Sequence, residues 1–312
     1  MKTFKPEMTL DKAVSHLQQI EGEAVLNVTP IEMGELSKVF SYRKGDADYV
    51  IHFKDNGDSL HKVNKIYSMY GDQSLPIPRI HKIGSVGNIH YSISDKVPGT
   101  PISALEPAQI RGLVPDIVQQ FMRILQTLQT PIGESHEGFG WITPEGKAAH
   151  RSWLDHLTSV FDAEQEGFYH GWQSLYEHSF LEKAFFEEIY QTMIELVRYS
   201  PSERYLVHGD FHLGNMLGEN ENVTGIVDWE MAMFGDFMMD VSVIHMWYPM
   251  LGFPKRLQEA MEQQGEKIPY FEERLLCYQL FRALDGLRFY AKKDDQGSYQ
   301  FMKNHITSLL KG

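Results

Sequence analysis

Cysteine is almost absent from this chain: among 312 residues only Cys277 occurs. One thiol cannot close an internal disulfide, so the fold must rest on its apolar core, and a reducing cytoplasm is the expected compartment. Cys277 itself sits in the apolar run Leu275–Tyr278 and reads as core. Positive charge is also short. Lys and Arg number 29 against 42 Asp and Glu, leaving a net charge of −13. That deficit argues against non-specific nucleic-acid binding, which needs a basic surface. It suits a cationic small ligand, or simply solubility. Long apolar runs are missing as well. The longest, Val241–Phe253, is interrupted by His245 and Pro249 and is too short to span a bilayer. Met1–Asp11 is polar and lacks the apolar centre of a secretory signal. No internal repeat or low-complexity segment is visible, and the 14 histidines do not cluster with Cys or Glu as a zinc site requires. No membrane, nucleic-acid or obligate protein partner is expected.

What is present is an ordinary globular composition, 42% apolar and 23% charged, in a chain longer than one typical domain. The first third alternates short elements. Apolar residues at Leu10, Ala13, Val14, Leu17 and Ile20 have helical spacing. Val25–Met33, Lys38–Arg43 and Tyr49–Phe53 then read as strands separated by turns at Gly34–Ser37 and Gly45–Asp46. A helix is expected over Ser59–Tyr70. Leu75–Pro78 is a rigid extended segment, because each proline fixes its own φ and biases its neighbour. Ile80–Ile83 and Ile89–Ile93 give two more strands, and Pro98–Gly99 is a turn signal. From Pro107 onward the pattern is helical, with apolar stripes through Ile117–Leu128, Trp153–Phe161 and Leu181–Leu196.

The most informative stretch is Tyr205–Asp240. The apolar run Tyr205–Val207 leads through His208-Gly209 to Asp210, and Asn215 follows. A second run, Gly225–Val227, ends on Asp228. The two runs are expected to be strands of one hairpin-like unit, with Gly218–Asn222 as the connection. The chemistry of such a set is specific. One carboxylate can accept the proton of an attacking hydroxyl. A second carboxylate and an amide oxygen supply hard oxygen ligands for Mg2+ bridging the phosphates of a nucleotide.

His208-Gly209-Asp210 with Asn215, then Ile226-Val227-Asp228-Trp229-Glu230 and Ala232-Met233-Phe234-Gly235-Asp236, resembles the catalytic and metal motifs of the aminoglycoside phosphotransferase family. The likeness extends roughly from residue 30 to 250. It implies an α+β, protein-kinase-like fold: a small antiparallel sheet lobe over 1–97, a hinge about 94–100, and a larger, mainly helical lobe over 98–312. It implies Mg2+-dependent transfer from ATP or GTP to a hydroxyl of a cationic small molecule, a hygromycin-like aminoglycoside or another polyol. Asp210 would be catalytic, and Asn215 and Asp228 would hold the metal. Gly34 and Ser37 would lie over the phosphates, and backbone groups of Asp95 and Val97 would meet the base. Carboxylates for the substrate's amines would come from Asp155, Asp162, Glu164, Asp285 and Glu230, the last also acting through a water. Asp236 and Asp240 would cap the helix that follows, and His208 would fix the catalytic loop.

The chain departs from the kinase pattern at one place. The third strand should carry a phosphate-binding lysine, and that position falls on His52, with Lys54 two residues on along the same face. The next helix should offer that lysine a glutamate. Ser59–Tyr70 contains none; Val63 stands in its place, flanked by Lys62 and Lys65. The pair is therefore absent or rebuilt from other residues.

Overall fold

The computed structural model describes the chain except residues 1–4, 23–24, 33–36, 72–74, 132–137, 166, 202 and 312. In chain order the elements are α1 (Leu10–Glu21), β1 (Val25–Ile31), β2 (Lys38–Lys44), β3 (Ala47–Lys54), α2 (Asp58–Tyr70), β4 (Ile80–Val86), β5 (Ile89–Asp95), β6 (Thr100–Pro101) and α3 (Pro107–Thr127). There follow β7 (Gln129–Pro131), β8 (Gly140–Trp141), α4 (Trp153–Ser159), α5 (Leu175–His178), α6 (Lys183–Leu196), β9 (Glu203–Val207), β10 (Met216–Glu219), β11 (Asn222–Ile226) and β12 (Met233–Gly235). The chain ends in α7 (Met238–Trp247), α8 (Phe253–Gln263), α9 (Phe271–Lys293) and α10 (Gln296–Leu309). None of the described helices is long and apolar enough to cross a membrane.

The elements gather into two compact units. The first comprises Met1–Arg123, Ile142–Gly146 and Leu213–Glu230; the second comprises Ile124–Trp141, Lys147–His212 and Met231–Gly312.

The first unit is built on an antiparallel sheet of order β1-β2-β3-β5-β4. Its hairpins close where two residues separate paired strands. Lys44 faces Ala47 across Gly45–Asp46, and Val86 faces Ile89 across Gly87–Asn88. Alternate residues of β2 and β3, Phe40, Tyr42, Ile51 and Phe53, turn to one face and bury against Ala13 and Leu17 of α1. A smaller sheet, β11-β10-β6, completes the unit.

Here the structure corrects the sequence reading. Tyr205–Val207 and Gly225–Val227 do not pair with each other. β11 pairs with β10, in register Glu219↔Asn222 and Met216↔Ile226. β9 instead lies between β7 and β12. The reason is the two-residue turn Asn220-Glu221, in which both residues take positive φ, 50° and 61°. That geometry matches the twist of a tight hairpin and selects the adjacent Met216–Glu219 as partner.

In the second unit, a four-stranded sheet of order β7-β9-β12-β8 accompanies the helices. α9 is its axis, in contact with α6, α7 and α10. Its buried residues, among them Leu275, Cys277, Leu280, Phe281 and Leu284, lie all round the helix, as they must in a central one. α7 is likewise buried almost throughout. α4 stops at Ser159, so Val160 and Phe161 are buried just beyond its end.

Between these elements a polar network is fully satisfied. Asp236, after β12, receives Arg274 Nε at 2.9 Å and Nη2 at 2.5 Å, Tyr278 Oη at 2.7 Å and the Met238 N–H at 3.0 Å. Trp153 Nε1 donates to the same Tyr278 oxygen at 2.9 Å. Gly235 leaves room for that indole: a Cβ there would stand 2.3 Å from the Trp153 ring.

Candidate active site

In the second unit, β9 delivers the chain to His208-Gly209-Asp210. Asp240, wholly buried in the first turn of α7, accepts the His208 N–H at 2.7 Å and the Gly209 N–H at 2.8 Å. This corrects the capping role expected for Asp240. Its carboxylate holds the loop before Asp210, whereas Asp236 does serve the Met238 N–H as expected. Burial raises the Asp240 pKa to about 7, although both backbone bonds oppose the shift. Gly209 adopts φ +83°, and a Cβ would fall 2.2 Å from the Met231 carbonyl oxygen, so no other residue fits there without movement. The Asp210 N–H donates to His208 Nδ1 at 3.2 Å, which is the structural role expected for His208.

The Asp210 carboxylate is half-buried. Arg282 Nη2 stands 3.3 Å from one oxygen and His212 Nε2 3.3 Å from the other. Burial alone would raise its pKa. The hydrogen bond with His212 and the charges of Arg282, His212 and His208 outweigh that and hold it down at about 2. Asp210 is therefore a carboxylate throughout the physiological range. It can orient a hydroxyl and receive its proton late, once the alcohol oxygen has begun to bond to phosphorus.

The first unit holds Asn215 and Asp228. The β10–β11 hairpin brings them together: the Val227 N–H donates to the Asn215 carbonyl at 2.9 Å, one residue before Asp228. Two further bonds anchor the segment. The Ile226 N–H donates to the Pro76 carbonyl at 2.7 Å, and Trp229 Nε1 to the Ile226 carbonyl at 3.0 Å. Asp228 itself takes φ +64°, which turns the chain sharply between Val227 and Trp229. One amide and one carboxylate, both hard oxygen donors at the base of a short hairpin, are residues that would hold a magnesium ion, which would supply charge neutralisation for phosphates.

The same unit contains a lysine–glutamate pair. Lys54, buried at the end of β3, is ion-paired with the Glu230 carboxylate. The acid thus comes from the segment after the metal loop and not from α2. Glu230, expected to face substrate or metal-bound water, is placed in this pair. Lys62 of α2 is also buried, and its amine donates to the Glu230 carbonyl at 2.5 Å. His52 is half-buried on β3. Burial lowers its pKa to about 4 against the pull of Glu230, so the imidazole is neutral near pH 7.

The remaining candidates belong to both units. Gly34 lies outside the described residues, while Ser37 is buried at the start of β2. The Asp95 N–H is taken by the Arg79 carbonyl at 3.0 Å, and its carboxylate is 2.6 Å from His81 Nε2. Val97 packs where a Cβ on Gly225 would lie. Asp155 is exposed in the first turn of α4; Asp162 and Glu164 are exposed beyond it. Asp285 is half-buried and bonded to Arg288 at 2.7 Å, with Tyr169 a further hydrogen-bond partner. It lies one helical turn from Arg282, so of these acids it shares a face of α9 with the partner of Asp210. Arg282 and Lys62 were not picked out from the sequence as site residues. The only signal for Arg282 is its i,i+3 spacing from Asp285.

With this geometry in view, comparison with known proteins identifies the family. The phosphotransferase enzyme family APH matches residues 27–276, and the chain belongs to it. It is a small-molecule O-phosphotransferase with the α+β, kinase-like fold of the aminoglycoside phosphotransferases. Hygromycin-B 4-O-kinase of Escherichia coli is 28% identical over 274 residues, covering 86% of this chain and 73% of that protein. Acyl-CoA dehydrogenase family member 11 of Rattus norvegicus is 24% identical over 284 residues, 84% of this chain but only 33% of that protein. Among solved structures, a thermostable mutant of aminoglycoside phosphotransferase APH(4)-Ia in ternary complex with AMP-PNP and hygromycin B superimposes with TM-score 0.80 at 23% identity, over 95% of this chain and 97% of that one. A protein assigned as a fructosamine-3-kinase from Haemophilus somnus 129PT gives TM-score 0.64 at 14% identity over 92% of each.

Proposed function

We propose that the chain transfers the γ-phosphoryl group of ATP or GTP to a hydroxyl of a cationic small polyol, most specifically an aminoglycoside of the hygromycin kind. The observation that carries the reading is the Asp210 carboxylate, 3.3 Å from both Arg282 and His212, on a loop whose backbone is fixed by Asp240. Such a carboxylate accepts a hydrogen bond from the attacking hydroxyl, aligns its lone pair, and takes the proton as the new bond to phosphorus forms. Asn215 and Asp228 hold Mg2+. Bound there, the ion neutralises phosphate charge and steadies the triphosphate. Exposed carboxylates, with Asp162, Glu164 and Asp155 first, offer charge-assisted hydrogen bonds to substrate ammonium groups, and the net charge of −13 favours their approach. The similarity to Hygromycin-B 4-O-kinase supports the aminoglycoside class. The structural likeness to the fructosamine-3-kinase-type protein favours a second reading, a kinase of a cellular amino sugar.

One experiment separates the two. Purified protein is incubated with Mg2+ and either ATP or GTP against a panel of aminoglycosides, amino sugars and amino alcohols, and phosphorylated products are read by mass spectrometry. A product confined to aminoglycosides supports the first reading, and one confined to metabolites the second. Turnover should fall by about 10²–10⁴ or more in Asp210→Ala while nucleotide still binds. Undiminished phosphorylation by that variant rules out Asp210 as the proton acceptor.

A further inference from the structure

We propose that Lys62, on α2, meets the nucleotide phosphates in this protein, adding a cation from the helix to the task that the kinase pattern assigns to a lysine on the third strand. The inference rests on the phosphotransferase reading above and adds a residue which that reading does not name.

Three basic groups of the first unit surround the segment that follows Asp228. His52 occupies the strand position itself, but its imidazole is uncharged at neutral pH. Lys54 is ion-paired with the Glu230 carboxylate, as the strand lysine of the kinase pattern is with its glutamate. Lys62 differs from both. Its side chain is 93% removed from solvent, with a relative exposure of 7%. Its one hydrogen bond among the described residues goes to a neutral acceptor, the Glu230 carbonyl, and it forms no ion pair there. An ammonium group has three N–H donors, so two remain for a ligand. A buried ammonium group whose one hydrogen bond goes to a neutral acceptor is costly, and a bound anion would offset that cost. Burial lowers its pKa to about 7, and the Glu230 charge, already bonded to Lys54, opposes the shift without cancelling it.

Position favours a phosphate as that anion. The acceptor of the Lys62 bond lies two residues after Asp228, so the amine stands beside the loop assigned to the metal. Phosphate oxygens bound to that metal must come close to this loop. The departure at α2 then makes sense as a pair. Where a glutamate on this helix would hold a strand lysine, this chain has the acid at 230 holding Lys54, and the helix contributes the cation.

The test compares wild type with Lys62→Met and Lys62→Arg. Dissociation constants are measured by calorimetry for Mg·ATP and Mg·GTP, for the corresponding nucleosides, and for inorganic tripolyphosphate. Lys62→Met should weaken triphosphate and tripolyphosphate binding by about ten- to a hundredfold while nucleoside binding stays within about twofold, the loss expected for a charge-assisted contact. Lys62→Arg should recover most of the difference. Equal triphosphate affinity in wild type and Lys62→Met overturns the inference. So does a parallel loss of nucleoside affinity, which would mark Lys62 as structural. Should Lys62→Met not fold, Lys62→Gln keeps a donor for the Glu230 carbonyl and carries the same comparison. A wild-type chain that binds no Mg·nucleotide at all overturns the phosphotransferase assignment of the site and this inference with it. Normal wild-type binding with an unaffected variant defeats the inference alone.

Discussion

Two buried cations, one in each unit, face opposite situations. Arg274 in the second unit is 2% exposed and bidentate to Asp236, with Tyr278 and the Met238 N–H saturating the remaining lone pairs. Lys62 in the first unit is 7% exposed and meets only a carbonyl. The Arg274 network leaves nothing for a ligand to add. It sits behind β12 and the start of α7, and so supports the element that carries Asp240. Lys62 forms no ion pair among the described residues, and the Glu230 charge that acts on it is bonded to Lys54. The difference separates scaffold from site more sharply than residue type does: a saturated buried charge resists change, and an unsaturated one awaits a partner.

The contrast is testable from either end. The largest effect is expected at Arg274. Arg274→Met strands Asp236 in the core and should cost about 3–5 kcal/mol of stability, read by urea unfolding. A loss near zero would mean that the network is ornamental. Next, Asp240→Ala leaves the N–H groups of His208 and Gly209 buried without acceptors, at about 1–3 kcal/mol each, and turnover should fall with them. Full activity at unchanged melting temperature would show that the loop before Asp210 needs no such support.

Lys62 should behave in the reverse sense. Its folded pKa of about 7 lies below the ordinary 10.5. Between those values the unfolded chain binds more protons than the folded one, so ligand-free stability rises with pH across that window. Well below pH 7 both states are protonated and the folded state bears the whole burial penalty. Lys62→Met should remove the slope and raise the melting temperature most at the acid end. A wild-type protein whose ligand-free stability shows no such rise, or a variant that keeps it, would contradict the assignment of strain to this amine. The smallest effect is expected on the surface. Lys255→Ala breaks an exposed pair with Glu259 at 3.8 Å and should change stability by less than about 0.5 kcal/mol. A larger change would mean that exposure is a poor guide in this protein.

The candidate site is legible in part from the sequence. Asp210 and Asp228 each close a segment opened by an apolar run, and Asn215 lies between them. The sheet of the first unit was legible from its turns, because Gly45 and Gly87 take positive φ where alternating strands end. The partner of Gly225–Val227 was misjudged because Tyr205–Val207 and Met216–Leu217 are equally apolar. Only the positive φ of Asn220 and Glu221 decides between them, and Glu gives little sign of it. Lys54 and Glu230 are 176 residues apart, and no local pattern announces their pairing. Nor does α2 reveal that Lys62 turns inward, since a lysine on an amphipathic helix ordinarily points to water.

The sequence by itself determined the family, the order of the residues proposed for catalysis and metal binding, and the strands of the first sheet, because those depend on neighbours within a few residues. Tertiary structure alone decided which acid answers Lys54, which carboxylate braces the loop before Asp210, and that the buried Lys62 amine bonds a carbonyl. Those outcomes depend on burial and on contacts between distant segments. A charge acquires its cost, and with it its meaning, only once water has been removed from around it.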